Sequence, residues 1–161
     1  MEVRKIMTAR IWSCSDNGSL ATAAATMLDH DCGFVPIVDR DGEVLGVLTD
    51  RDICMAVARE ERRAADIPAL SVSSRRVISC APEDDIHEAL ARMENAKVQR
   101  LVVVDENGVL KGVISMTDVL RHTVPSRTSD PECLTCAEAV GSLRLIRSTH
   151  RARKTWTAAA E

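Results

Sequence analysis

The chain has 161 residues, 45% of them hydrophobic and 28% charged, with one Phe, two Trp and no Tyr, so any core it forms is aliphatic. Its 21 basic and 24 acidic groups leave a formal charge of −3, which excludes a chain-wide cationic surface for nucleic acid. The scarcity of rings argues against folds that stack single-stranded bases, and the apolar share at low net charge excludes a disordered chain.

Residues 1–10 carry charge every few positions and no apolar h-region, and no stretch approaches the ~18 apolar residues of a membrane span. A soluble, cytoplasmic protein that contacts no membrane is expected. The six cysteines, at 14, 32, 54, 80, 133 and 136, are too sparse for a secreted disulfide framework, and most are expected to be reduced and buried.

Self-similarity organises the chain. Residues 37–49 match residues 103–115 with a shift of 66, and across 7–55 against 73–121 the same shift gives 12 identities in 49 positions without a gap. Each copy opens with a short β-prone segment, 11–14 or 77–80, ending at turn and capping residues. A helix follows, with an inner stripe of Leu20, Ala23, Ala24, Met27 and Leu28, or Ile86, Ala89, Leu90 and Met93.

Two strands come next, 34–39 and 44–49, repeated as 101–105 and 109–115. Asp41-Gly42 and Asn107-Gly108 between them predict tight turns with positive φ at both centres. A second helix begins after Thr49 and Ser115, with Ile53 and Val57, or Val119 and Leu120, facing inward.

The order is therefore β-α-β-β-α twice, an α/β (α+β) fold of two repeats. A unit of about 50 to 60 residues alone buries a marginal share of its surface, so the two should pack face to face around a pseudo-twofold axis. The expected organisation is a first repeat over 7–62, a second over 63–124, and a tail over 125–161. In the tail, Val140, Leu143 and Ile146 have helical spacing and five basic residues between 140 and 154 meet no acidic one.

With these features in place, the tandem resembles a pair of CBS domains, the family named after cystathionine beta-synthase. The resemblance spans roughly residues 1–124. It rests on Ile6-Met7-Thr8 and on two matching motifs, Gly46-Val47-Leu48-Thr49-Asp50-Arg51-Asp52-Ile53 and Gly112-Val113-Ile114-Ser115-Met116-Thr117-Asp118-Val119. It implies a disc-like module, usually a homodimer, that binds adenosine-containing ligands such as AMP, ADP or ATP in clefts between its repeats. The family often regulates an attached enzyme or channel; no such effector is recognised here, so a stand-alone regulatory module without catalysis is expected, acting on an effector protein or through its own dimer.

Ribose offers two adjacent hydroxyl donors that one carboxylate can accept, and Asp52 and Asp118 are the matching positions. Thr49 and Ser115 stand at helix starts, which favour phosphate. The same Thr-x-x-Asp and Ser-x-x-Asp spacing is that of a capping box, which would only close a helix end. The base is expected against Gly33, Phe34, Val35 and Pro36 in copy one and Gln99, Arg100, Leu101 and Val102 in copy two. Lys97, Arg100 and Arg51 are candidate phosphate cations.

Catalysis finds little support, because the four histidines are scattered and no nucleophile-base pattern stands out. Cys133-Leu134-Thr135-Cys136 could be a redox pair or half a zinc site, although it lacks the second ligand pair a closed site needs. The alternatives to ligand sensing are a scaffold or dimerisation module whose motifs are only caps, and a redox- or metal-linked protein acting through that pair.

Overall fold

The computed structural model describes residues 1–124 and 134–148. In chain order, a 3-10 turn over Val3–Lys5 precedes β1 (Cys14–Ser15), α1 (Leu20–Asp29), β2 (Phe34–Val38), β3 (Val44–Thr49) and α2 (Asp50–Glu60). A second 3-10 turn over Ala64–Asp66 and the short α3 (Ala69–Val72) lead to β4 (Ser79–Cys80), α4 (Ile86–Ala96), β5 (Arg100–Val104), β6 (Leu110–Ser115) and α5 (Met116–Arg121). The last element is α6 (Cys136–Arg147).

Each repeat makes one three-stranded sheet, β1-β2-β3 and β4-β5-β6. The first two strands run parallel because α1 or α4 carries the chain back between them, and the hairpin makes the third antiparallel. β2 and β5 lie centrally and read Phe-Val-Pro-Ile-Val and Arg-Leu-Val-Val-Val, three consecutive buried residues in each, as strands covered on both faces do. The expected fold, two β-α-β-β-α units, is the one observed.

The hairpins differ from expectation in a defined way. Only Gly42 (φ 86°) and Gly108 (φ 77°) take positive φ; Asp41 and Asn107 do not. The carboxylates of Asp39 and Asp105 each accept two backbone N–H groups of the loop, from Asp41 and Glu43 and from Asn107 and Val109. These bonds favour a three-residue loop with one left-handed glycine over a two-residue turn.

Two aliphatic cores form, and the segments leading into the repeats are exchanged between them. Val3 and Ile6 are buried with Ile86, Met93, Leu101 and Ile114 of the second repeat. Ile67 and Ala69, just beyond the expected boundary at 62/63, are buried with Leu20, Ile37 and Leu48 of the first. The exchange continues in hydrogen bonds. Thr8 and Val113 pair through both N–H···O bonds (2.9 and 3.0 Å), and Val47 and Ser74 do the same (3.1 and 2.9 Å). The hairpin tips join as well, Val44 N–H to Gly108 O and Leu110 N–H to Gly42 O.

Several expected inner faces are shifted. Leu28 is 82% exposed at the end of α1, and Val57 and Leu120 lie on the outside while Ala56 and Val119 are buried. In α6 the buried residues are Ala139, Ser142 and Ile146, with Val140 outside, and the helix rests on α4 and α5. Cysteines depart from expectation too: Cys14 and Cys80 are buried, but Cys54 and Cys136 are exposed and Cys32 is half-buried. Burial raises the Cys14 thiol and pushes Cys80 up to about 11. Cys133 and most of the basic run lie outside the described residues.

Gly46 and Gly112 mark where the exchanged segments cross the sheets. A Cβ on Gly112 would sit 2.7 Å from the Thr8 carbonyl oxygen, a backbone atom held by its pair with Val113. On Gly46 the nearest atom, at 2.5 Å, is the Ser73 hydroxyl oxygen, which can rotate away. Gly112→Ala should therefore cost about 2 to 3 kcal/mol and Gly46→Ala about 1, an order that urea unfolding midpoints will check.

Candidate functional site

Two cavities lie between the repeats, of about 380 and 410 Å³. Each takes its acidic motif from one repeat and most of its strand wall from the other, with Phe34 and Arg100 common to both. Ser115 and Asp118 face Gly33, Phe34 and Pro36 in one; Thr49 and Asp52 face Gln99, Arg100 and Val102 in the other. The expected grouping kept motif and wall within one copy, so the structure corrects it. The cause is the face-to-face packing, which sets the motif of each repeat across a cavity from the central strand of the other.

Of the other sequence candidates, Val35 and Leu101 are fully buried in the cores and line neither cavity. They alternate with wall residues along their strands, so the strand period turns them inward. Arg51 is exposed on α2 and lines neither cavity. Lys97 lines the Asp52 cleft, with its Nζ donating to the Leu145 carbonyl oxygen at 3.0 Å.

Both acidic motifs form complete capping boxes. Asp52 Oδ2 accepts from the Thr49 N–H (3.0 Å) and hydroxyl (2.6 Å), and the Thr49 oxygen accepts the Asp52 N–H (3.2 Å). Asp118 and Ser115 repeat this at 2.9, 2.6 and 3.2 Å. Oδ1 of each aspartate has no hydrogen-bond partner among the described residues. A half-buried carboxylate thus has one oxygen fixed and one available to accept from a ligand. The hydroxyls are already committed to their aspartates, so the helix starts present negative charge and are poor places for the phosphate expected there.

The cavity positions correspond under the shift of 66. Thr8 and Ser74, Arg10 and Arg76, Trp12 and Ile78, and Val113 and Val47 occupy the same places in the two clefts. Arg10 and Arg76 are basic wall residues that the sequence reading missed. They are one of the 12 identities between the copies, and that coincidence was the available signal. Phe34 and Arg100, also 66 apart, line both cavities, and the Arg100 guanidinium lies 5.8 Å from the Phe34 ring centroid, within reach of a cation–π contact.

Among the described residues, no group of three or more His, Cys, Asp or Glu is gathered for a metal ion, and no helix is long and apolar enough to cross a membrane.

The comparisons with known proteins agree with this fold. A model of the CBS domain matches residues 3–59 and again 66–124. In sequence the chain is similar to the CBS domain-containing protein YhcV of Bacillus subtilis, 30% identical over 117 residues, which are 73% of this chain and 81% of that protein. It spans only 50% of the length of a relative from Methanopyrus kandleri, to which it is 32% identical over 61% of its own length. Among solved structures it resembles Hypoxic Response Protein I with two coordinated zinc ions, at 30% identity and a TM-score of 0.70 over 78% of this chain and 100% of that one. It also resembles a CBS domain protein of Pyrobaculum aerophilum complexed with AMP, at 22% identity and a TM-score of 0.65 over 89% and 98%.

The caps can be separated from the free carboxylate oxygens. Thr49→Ala and Ser115→Ala remove the cap acceptor and leave the aspartates, so each should lower stability by about 1 kcal/mol, read as a shift of the urea midpoint.

Proposed function

The chain belongs to the CBS domain family, with two copies of the domain in tandem, and from that premise we propose that it is a ligand-sensing regulatory module that binds an adenosine-containing nucleotide between its repeats. The observation that carries this reading is the pairing, in each cleft, of a free aspartate oxygen with basic side chains across a cavity of several hundred Å³. A cavity of this size suits a small ligand.

In this reading, Asp52 or Asp118 accepts from the ribose hydroxyls through its free oxygen. The base lies between the strand wall of the opposite repeat and the segment leading into a repeat. Phosphate is met by Arg76, Lys97 and Arg100 in the Asp52 cleft, and by Arg10, Arg100 and Arg121 in the other. Arg51, outside both cavities, has no part in it. The Pyrobaculum aerophilum structure, complexed with AMP, supports this ligand class from the fold alone.

Because each ligand would touch both repeats, occupancy favours whichever arrangement of the repeats binds it more tightly, and that difference is what an effector protein or a dimer can read. We take the working state to be a homodimer. Met55, Val57 and Leu120 leave apolar surface on α2 and α5 for a second copy to cover, and sedimentation should show a dimer; a monomer at micromolar concentration would remove that part of the reading.

The completed capping boxes favour a second reading, a scaffold whose motifs only close helices. Thermal-shift titration with AMP, ADP, ATP and S-adenosylmethionine separates the two. At about 100 times Kd a native-state ligand adds about 2.7 kcal/mol and raises the midpoint by several degrees. Asp52→Asn and Asp118→Asn should weaken binding most, whereas Thr49→Ala and Ser115→Ala, which remove one of the two donors on Oδ2 and keep the free oxygen, should lower stability and weaken binding less. If no ligand moves the midpoint at millimolar concentration, the scaffold reading stands instead.

A further inference from the structure

The two clefts share a plan and differ at a few positions, and on balance the differences leave the Asp52 cleft the more positive, although Arg121 of the Asp118 cleft stands where the other copy has Met55. Asp31 and Lys97 are equivalent residues, 66 apart. Each follows the first helix of its repeat, each has left-handed backbone (φ 48° and 58°), and each lines its own cleft. One carries an acid where the other carries a base.

The Asp52 cleft accordingly holds Arg76, Lys97 and Arg100 against one carboxylate, Asp52. The Asp118 cleft holds Arg10, Arg100 and Arg121 against two, Asp31 and Asp118. A second difference runs alongside the charge. Trp12 and His30 stack at 3.7 Å with their planes 7° apart and both line the Asp118 cleft, while the equivalent positions are Ile78 and Ala96. Trp12 is 57% exposed although it is the largest ring in the described residues, which leaves aromatic surface for a base at that cleft.

We propose that the clefts are tuned to ligands of different charge: the Asp52 cleft to the more highly phosphorylated adenosine nucleotide, and the Asp118 cleft to an adenosine ligand carrying less negative charge. The exchange of acid for base at Asp31 and Lys97 sets the difference. This rests on the nucleotide reading above and assigns each cleft its ligand class. Lys97 can serve the role because its one polar contact among the described residues, to the exposed Leu145 carbonyl, is a bond to a neutral acceptor. A phosphate oxygen makes a charge-assisted bond roughly twice as strong.

The test is calorimetric titration of the full chain with adenosine, AMP and ATP, without divalent cation so that ATP keeps its full charge. Asp118→Ala leaves the Asp52 cleft intact and Asp52→Ala leaves the other, with the corresponding Asn variants if an Ala variant does not fold. The readout is the ratio of ATP to adenosine affinity within one protein, which a loss of stability does not alter. That ratio should be about fivefold or more higher in the Asp118→Ala protein than in the Asp52→Ala protein. Adding Asp31→Lys to the Asp52→Ala protein should raise its ratio to the same range. The milder Asp31→Asn, which also suits left-handed backbone, should move it in the same direction. Equal ratios in the two single-cleft proteins, or a ratio that neither change at Asp31 moves, overturn the proposal while the nucleotide reading stands. Failure of all three ligands to bind the unsubstituted chain overturns both.

Discussion

Two short backbone pairings hold the module together: Thr8 with Val113 and Ser74 with Val47. Each joins the segment that leads into one repeat to the last strand of the other, and each has a glycine beside it, where a side chain would press on the crossing segment, on its backbone at Gly112 and on the movable Ser73 hydroxyl at Gly46. Both the cores and the clefts depend on this exchange. It carries Val3 and Ile6 into one core and Ile67 and Ala69 into the other, so neither repeat completes its aliphatic interior without the other's leading segment. A unit of this size buries too little surface alone, and the exchange is how this sequence removes that deficit. It also makes the clefts. The segments that cross at Thr8 and Ser74 continue past Arg10 and Arg76 to Trp12 and Ile78, and those residues form the outer walls.

The free aspartate oxygens gain from the caps that at first compete with them as an explanation. Held by two donors on Oδ2, the Asp52 and Asp118 side chains are fixed before any ligand arrives. A ligand that bonds Oδ1 then loses little side-chain freedom, and the cost of ordering the site is already met in folding. A lone Thr-x-x-Asp would be read as a helix cap and nothing more. Here the cap positions a carboxylate at the mouth of a cavity, so in the proposed reading structural and binding roles fall to different oxygens of one group.

Much of this was legible in the sequence, for a physical reason. Helical stripes such as Leu20-Ala23-Met27 and the Asp/Asn-Gly loops are local signals, and the 66-residue shift carried them from one copy to the other. The identities at Gly46/Gly112, Asp52/Asp118 and Arg10/Arg76 mark the crossing points, the caps and the cleft walls. What the sequence could not supply was which copy faces which. Proximity along the chain put Gly33–Pro36 beside Thr49 and Asp52, whereas packing across the pseudo-twofold sets that wall against Ser115 and Asp118. Val35 and Leu101 were misplaced by strand alternation, and Leu28 because a helix stripe continues in sequence after the neighbouring element has ended.

Duplication followed by divergence leaves a constraint at the centre of the molecule. Phe34 and Arg100 are equivalent positions, and in a perfectly symmetric ancestor they would be one residue meeting its own copy near the axis. Here a ring and a guanidinium meet instead, and each lines both cavities. Had both positions been arginine, two like charges would have faced each other across the axis; two phenylalanines would have left both clefts without that cation. A guanidinium occupies one place at a time, so a contact that draws Arg100 into one cavity withdraws it from the other and from the Phe34 ring. If both clefts bind ligand as proposed, coupling between them would need no long pathway through the fold, because one side chain is common to both.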